Sequence, residues 1–157
     1  MINIIIILHG FLGMGDNWKT LAKQFSALGF ELHLIDQRNH GRSFHDSEFN
    51  YEVLVSDLLH YCEYYAIKNC IVLGHSMGGK TAMNYAIKYP ESLSKLVIAD
   101  IGPQQYPLHH QDILKALYEK GYPRGFMNLD WEGSVMSGLY KQGGTVSFKN
   151  GGLASIL

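Results

Sequence analysis

Cysteine is scarce in this 157-residue chain: Cys62 and Cys70 are the only two, and no CxxC pair joins them. That excludes a disulfide framework and leaves a zinc site without a thiolate cluster. An excess of one charge is lacking too. With 13 basic and 14 acidic residues the net charge is -1, in no long run. The chain therefore has no electrostatic footprint for nucleic acid or an anionic membrane. No apolar run reaches the ~20 residues of a membrane span. The strongest, Ile2 to Leu8, is far shorter. The chain start has neither the basic segment nor the small-residue cleavage site of a secretory signal, so a cytoplasmic protein with reduced thiols is expected. What is present is a globular balance, 46% hydrophobic and 17% charged, at a length that suits a single core.

The first hundred residues alternate between two patterns. Ile2–Leu8 is a nearly continuous β-branched run, which suits a strand buried on both faces. A glycine-rich loop, His9–Gly15, leads to a helix with Asp16 or Asn17 as N-cap. Leu21, Phe25 and Leu28 form its apolar stripe and Gly29 its end. Phe30–Asp36 reads as a second strand and Gln37–Asp46 as a polar loop. Asn50 is placed to cap a helix in which Leu54, Leu58, Tyr61 and Tyr65 recur at helical spacing. Cys70–Gly74 is a third strand, Met77–Tyr89 a helix stopped by Pro90, and Leu96–Ile101 a fourth strand.

This rhythm predicts an α/β fold: a parallel sheet of about four strands with helices on both faces. In such a sheet the loops at 9–15, 37–46, 74–80 and 100–107 share one edge, where ligands collect. Beyond residue 103 the pattern weakens. His109–Lys120 still reads as a helix on Ile113, Leu114 and Leu117, but eight of the 17 glycines fall in the last 37 residues and no period survives.

The strongest chemical signal is Gly74-His75-Ser76-Met77-Gly78, a G-x-S-x-G segment between a strand and a helix. A sharp turn there lifts a serine hydroxyl above the sheet in strained backbone geometry. Glycines two positions either side let strand and helix approach closely. His9-Gly10-Phe11-Leu12-Gly13 follows the first strand and adds a second element. A tetrahedral intermediate needs two N–H donors, and those of Met77 and Phe11 are the natural pair. A competing motif overlaps the first. Residues 74–81 also satisfy G-x-x-x-x-G-K-[ST], the phosphate-cradling P-loop of an NTPase, with Asp100 ending a later apolar strand. Ser76 centred between two glycines favours the nucleophile reading, as does the His9–Gly13 loop, which has no P-loop role. Lys80 then reads as a solvated residue on the following helix.

In order, HGFLG (9–13), DQRNHGRS (36–43), GHSMGGKTAM (74–83) and VIADIGP (97–103) resemble the α/β-hydrolase superfamily. More narrowly, they are similar to the YbfF-like esterases and their abhydrolase relatives, over about residues 4–118. The resemblance implies serine-esterase or thioesterase chemistry on a small-molecule acyl ester or acyl-CoA-type substrate, with no metal or organic cofactor. It makes Ser76 the nucleophile, Phe11 and Met77 the oxyanion donors, and Asp100 the acid that orients a base. Asp100 suits that role physically, because it lies at the carboxyl end of the strand after the nucleophile's. The family's base histidine follows its last strand, beyond the part of the fold read here. The expectation is thus a partial α/β-hydrolase core over residues 1–102 and a lid-like or divergent, truncated or frame-disrupted segment over 103–157. A catalytically inactive hydrolase-fold fragment is the alternative.

The remaining candidates read more plainly. His75 is expected to point away from Ser76, and His9 to hold backbone. His40 and His45 sit in the loop whose Asp36, Arg38, Gly41 and Ser43 resemble a structural block of the family. His33 and His60 are ordinary strand and helix residues. His109 and His110 are the in-chain candidates for a substitute base, with an exposed helix start as the simpler reading. Tyr61, Tyr64 and Tyr65 suggest packing, and Phe126, Met127 and Trp131 an acyl pocket under a lid. A sheet ending at the strand before Asp100 would carry an unpaired apolar edge, from which self-association is expected.

Overall fold

Strand β1 (Asn3–Leu8) repays its apolar run, since Ile5, Ile6, Ile7 and Leu8 are all buried. The computed structural model of the protein describes residues 3–103, residue 119, and residues 140–142, 145–147 and 153–156. Within them the chain forms α1 (Lys19–Ala27), β2 (Phe30–Ile35), α2 (Tyr51–Tyr64), β3 (Cys70–His75), α3 (Met77–Lys88) and β4 (Leu93–Ala99). Strands β5 (Tyr140–Gln142), β6 (Thr145–Ser147) and β7 (Leu153–Ile156) follow. The sheet order is β2-β1-β3-β4-β7-β6-β5. β1 to β4 are mutually parallel, as expected for strands joined through helices.

Alternation along β1 decides which helix lies where. Ile6 and Leu8 join Val72, Leu96 and Ile98 in a core with Val55 and Leu58 of α2 and Ala82, Met83, Tyr85 and Ala86 of α3. Ile5 and Ile7 face the other way, toward Leu73, Trp18 just before α1, and Phe25 on α1. Helices therefore cover both faces, and the period-two rule places each side chain. The strand order reverses at β1, with β2 on one side and β3 on the other, so a crevice opens at the carboxyl ends of β1 and β3.

Local signals held at several ends. Asn50 caps α2, its Oδ1 accepting the Val53 N–H at 2.9 Å. Gly29 closes the α1 turn at φ +89°, and α3 stops before Pro90. Other ends differ. Asp16 and Asn17 lie inside a 3₁₀ turn, Gly15–Trp18, because Asn17 Oδ1 folds back onto the Met14 N–H at 2.8 Å. Leu28 stands at the C-terminal end of α1 and is 72% exposed rather than on its buried stripe. Tyr61 is engaged by His33 at 2.9 Å, while Tyr64 and Tyr65 are exposed.

The largest difference concerns the sheet edge. The four parallel strands read from sequence are β1 to β4, and among the described residues the sheet continues past them through β7, β6 and β5. β4 is an interior strand, because β7 pairs with it in parallel through Leu96↔Ala154, Val97↔Ser155 and Ile98↔Ile156. The unpaired β4 edge, and self-association through it, therefore lose their basis. The rest of the helix read over His109–Lys120 lies outside the described residues; Glu119 is helical.

Two substitutions separate packing from capping in urea titrations. Ile6→Ala, at a site with no exposed surface, is expected to cost about 2–5 kcal/mol. Asn50→Ala is expected to cost about 1 kcal/mol, and Asn50→Gly only a few tenths.

Candidate active site

The loop after β1 is held from below by two buried histidines. His9 donates from Nδ1 to the Gly10 carbonyl at 2.8 Å, and its Nε2 accepts the Gln37 N–H at 3.0 Å. His40 does the same one layer away, donating from Nδ1 to the Arg38 carbonyl at 2.9 Å and accepting the Leu12 N–H at 3.1 Å. A carbonyl can only accept and an amide N–H only donate, so each ring is fixed as the neutral Nδ1–H tautomer. Burial lowers both pKa values, that of His40 to about 4. The two rings lie 5.0 Å apart, and Phe11 meets His40 edge-on at 5.8 Å. Within the loop, the Gly13 N–H bonds the Gly10 carbonyl at 2.9 Å and closes a turn around Phe11 and Leu12.

The polar loop after β2 supplies this support because it is itself tied down. Asp36 accepts the Gly15 and Arg42 N–H groups at 2.7 and 2.9 Å. Arg38 grips Asp57 of α2 with two bonds, 2.5 and 2.7 Å, and adds the Glu48 carbonyl at 2.8 Å. Asn39 exchanges two bonds with the Asp46 backbone. The block read as structural is structural.

Ser76 sits between β3 and α3 with φ 50° and ψ -114°, a conformation that costs a non-glycine residue roughly 1–3 kcal/mol. Its backbone is held from both sides: the Ser76 N–H donates to the Ala99 carbonyl at 3.1 Å, and its own carbonyl accepts the Lys80 N–H at 3.1 Å. The flanking glycines are required by contact. A Cβ on Gly74 would lie 2.3 Å from the Gly78 carbonyl oxygen, and one on Gly78 would lie 2.3 Å from that of Leu8. The turn is thus pressed onto the end of β1. A Cβ on Gly10 would lie 3.2 Å from that of Ser76, so the loop after β1 passes directly against the serine. Met77 opens α3, where its N–H has no intrahelical acceptor. Its side chain packs in one cluster with Phe11, Phe49, Tyr51 and Leu54. The structure therefore brings Phe11, Ser76 and Met77 to one place.

Asp100 lies just past the end of β4, not within it, at φ 57°. Ser76 and Asp100 are thus two left-handed residues at neighbouring strand ends, joined through the Ala99 carbonyl. The Asp100 carboxylate is 88% exposed and lies 3.7 Å from His75 Nε2, whose ring also meets Trp18 at 5.8 Å. His75 is thus turned toward Asp100 and α1's approach.

Comparison with known proteins gives the family of this fold. Residues 3–126 match the family model described as alpha/beta hydrolase fold. The chain belongs to the alpha/beta hydrolase fold family. Among curated relatives it is 36% identical over 116 residues to a putative esterase/lipase of Haemophilus influenzae, covering 73% of this chain and 40% of that protein. It is 38% identical over 106 residues to the sn-1-specific diacylglycerol lipase ABHD11 of Danio rerio, covering 67% and 33%. Among solved structures a marine microorganism esterase aligns with TM-score 0.72 at 40% identity, over 75% of this chain and 47% of that one. The chain therefore spans well under two thirds of the length of these relatives.

Two sequence readings of this alpha/beta hydrolase chain are revised by its α3. Met77, Gly78 and Gly79 are helical, so no loop between Gly74 and Lys80 remains to wrap a phosphate. The Thr81 hydroxyl, which a P-loop would offer to a metal, bonds back to the Met77 carbonyl at 3.2 Å. Lys80 is not solvated: it is 5% exposed, and desolvation lowers its pKa. The helix has nine buried residues of twelve, which leaves few positions for a solvated side chain. Sequence reasoning missed the bracing role of His40, whose partner Leu12 is 28 positions away; no local pattern announces such a bond. His109, His110, Phe126, Met127 and Trp131 lie outside the described residues.

The neutral histidines set a pH dependence. With the His40 pKa moved from 6.5 in the free group to about 4 in the fold, the unfolded chain binds the proton first. Stability is then full above about pH 6.5 and falls as the pH drops toward 4. His40→Asn is expected to flatten that slope in urea midpoints measured from pH 7 to 4. Gly78→Ala is expected to lower stability by about 1–3 kcal/mol at any pH, since backbone on β1 must move to admit the methyl.

Proposed function

We propose that this chain carries the nucleophile and the oxyanion site of a serine esterase or lipase, with thioesters as a second substrate class. The observation that carries the reading is the left-handed Ser76 pressed against the loop after β1. In this account the Ser76 hydroxyl attacks the acyl carbon of an ester and the alcohol leaves. Water then attacks the acyl-serine and frees the acid. The Phe11 and Met77 N–H groups receive the negative oxygen of each tetrahedral intermediate, and a single such donor is typically worth about 3 kcal/mol of barrier. The start of α3 adds the positive end of its dipole beneath that charge.

Asp100 orients the imidazole that takes the serine proton, in the order serine, acid, histidine that this fold uses. Among the described residues, the histidine that meets Asp100 is His75. The family resemblance places the base histidine after the last strand instead. Apolar ester substrates, including the lipid esters named for the ABHD11 relative, suit the exposed Leu12 and half-buried Phe11 of the loop beside the serine.

A fluorophosphonate probe tests the assignment, because phosphonylation needs the nucleophile and the oxyanion donors. Peptide mapping is expected to place the adduct on Ser76, with labelling lost in Ser76→Ala. Hydrolysis of p-nitrophenyl acetate is expected to fall to background in the same variant. A serine-independent adduct, or equal turnover by both proteins, contradicts the proposal. Labelling without turnover would favour an inactive hydrolase-fold chain.

A further inference from the structure

Strand β2 ends the sheet, with β1 on its inner side and no strand on its outer side among the described residues. It pairs with β1 without a break in register, from Asn3↔Phe30 to Leu8↔Ile35. A native edge strand is usually blunted by lysine, proline, a bulge or shortness. β2 has none of these. Phe30-Glu31-Leu32-His33-Leu34-Ile35 is regular, apolar except at Glu31 and His33, and as long as β1 and β3. Its outer row of backbone N–H and C=O groups is therefore open to a further strand.

An aromatic row lies beside that edge. His33 reaches toward α2, where it meets the Tyr61 hydroxyl at 2.9 Å and the Tyr65 ring at 6.2 Å. Tyr64 packs edge-on against Tyr65 at 4.9 Å. Tyr65 is 55% and Tyr64 83% exposed, and tyrosine is a residue type that interfaces favour.

The order of residues in β2 says what the edge takes. A twofold axis perpendicular to the sheet brings two β2 strands together antiparallel and closes the contact. That rotation keeps every side chain on its own face, so residues an even number of positions apart lie opposite one another. A register centred on Glu31 sets two carboxylates face to face. One centred on His33 sets Glu31 opposite Ile35. Centred on Leu32, every pair matches: Leu32 meets its own copy, Phe30 meets Leu34, and Glu31 meets His33. Side chains directly opposite lie about 4.5–5.5 Å apart at Cβ, and Glu31 and His33 already pair within one chain at 2.9 Å.

We propose that β2 is a dimerisation edge, to which a second copy of this chain adds its own β2 antiparallel and centred on Leu32. One sheet then runs through both copies, and the Tyr64 and Tyr65 rings of both fall on the same face of it. The contact needs neither Ser76 nor any catalytic step, so it stands or falls apart from the esterase reading.

Sedimentation velocity on the full chain at neutral pH, from micromolar to millimolar concentration, tests the proposal. A monomer–dimer equilibrium is expected. Glu31→Lys sets a cation opposite the imidazole of the second copy, and His33→Glu sets two carboxylates opposite each other. Each variant alone is expected to weaken the dimer about tenfold or more. Mixed in equal amounts, the two are expected to recover it as a heterodimer, because the new lysine of one faces the new glutamate of the other. That recovery also shows that both variants fold. A monomer at every concentration overturns the proposal, as it would if another strand occupied the edge. So does a dimer that the variants leave intact, or a mixture no tighter than its components.

Discussion

The absence of two β-carbons, at Gly74 and Gly78, is the constraint on which the site depends. Those positions let the β3–α3 turn rest on the carbonyl end of β1, and from that contact the rest follows. Ser76 is forced into a left-handed conformation whose cost, of order 1–3 kcal/mol, is offset by the packing of α3. Ala82, Met83, Tyr85 and Ala86 of that helix are essentially inaccessible, and each large apolar side chain so buried contributes about 1.5–3 kcal/mol. The strain therefore persists because a well-packed helix and two backbone hydrogen bonds define the turn from both sides.

A second layer makes the loop after β1 as rigid as the turn it touches. His9 and His40 are struts whose neutrality is enforced by burial, and each spends both ring nitrogens on the backbone. They lean on a polar loop that Asp36 closes and that Arg38 bolts to α2 through Asp57. Preorganisation of this kind matters for an oxyanion site, because donors already in place need not reorganise when charge develops.

The parts legible in the sequence are those set by local rules. The β-branched run of β1, the Asn50 cap, the Pro90 stop and the glycine spacing around Ser76 each act within a few residues. The parts that were not legible depend on distant neighbours. Lys80 looks like a solvated helix residue until the helix is seen to be buried on most of its faces. Leu12 and His40 are remote in sequence, and the 3₁₀ turn at Gly15–Trp18 arises because Asn17 finds Met14 before it can cap α1. The partner of β4 comes from Leu153–Ile156, in a glycine-rich stretch with no period, so nothing local marked it as a strand. The candidate site was legible as residue types. Its bracing was not.

The central claim is that amides on two separate segments converge on the oxygen that forms at Ser76. The most direct measurement is a crystal structure of the chain phosphonylated at that serine. The account predicts the phosphonyl oxygen within about 3 Å of the backbone nitrogens of both Phe11 and Met77. A phosphonyl oxygen turned to solvent, or bonded to neither amide, would contradict it.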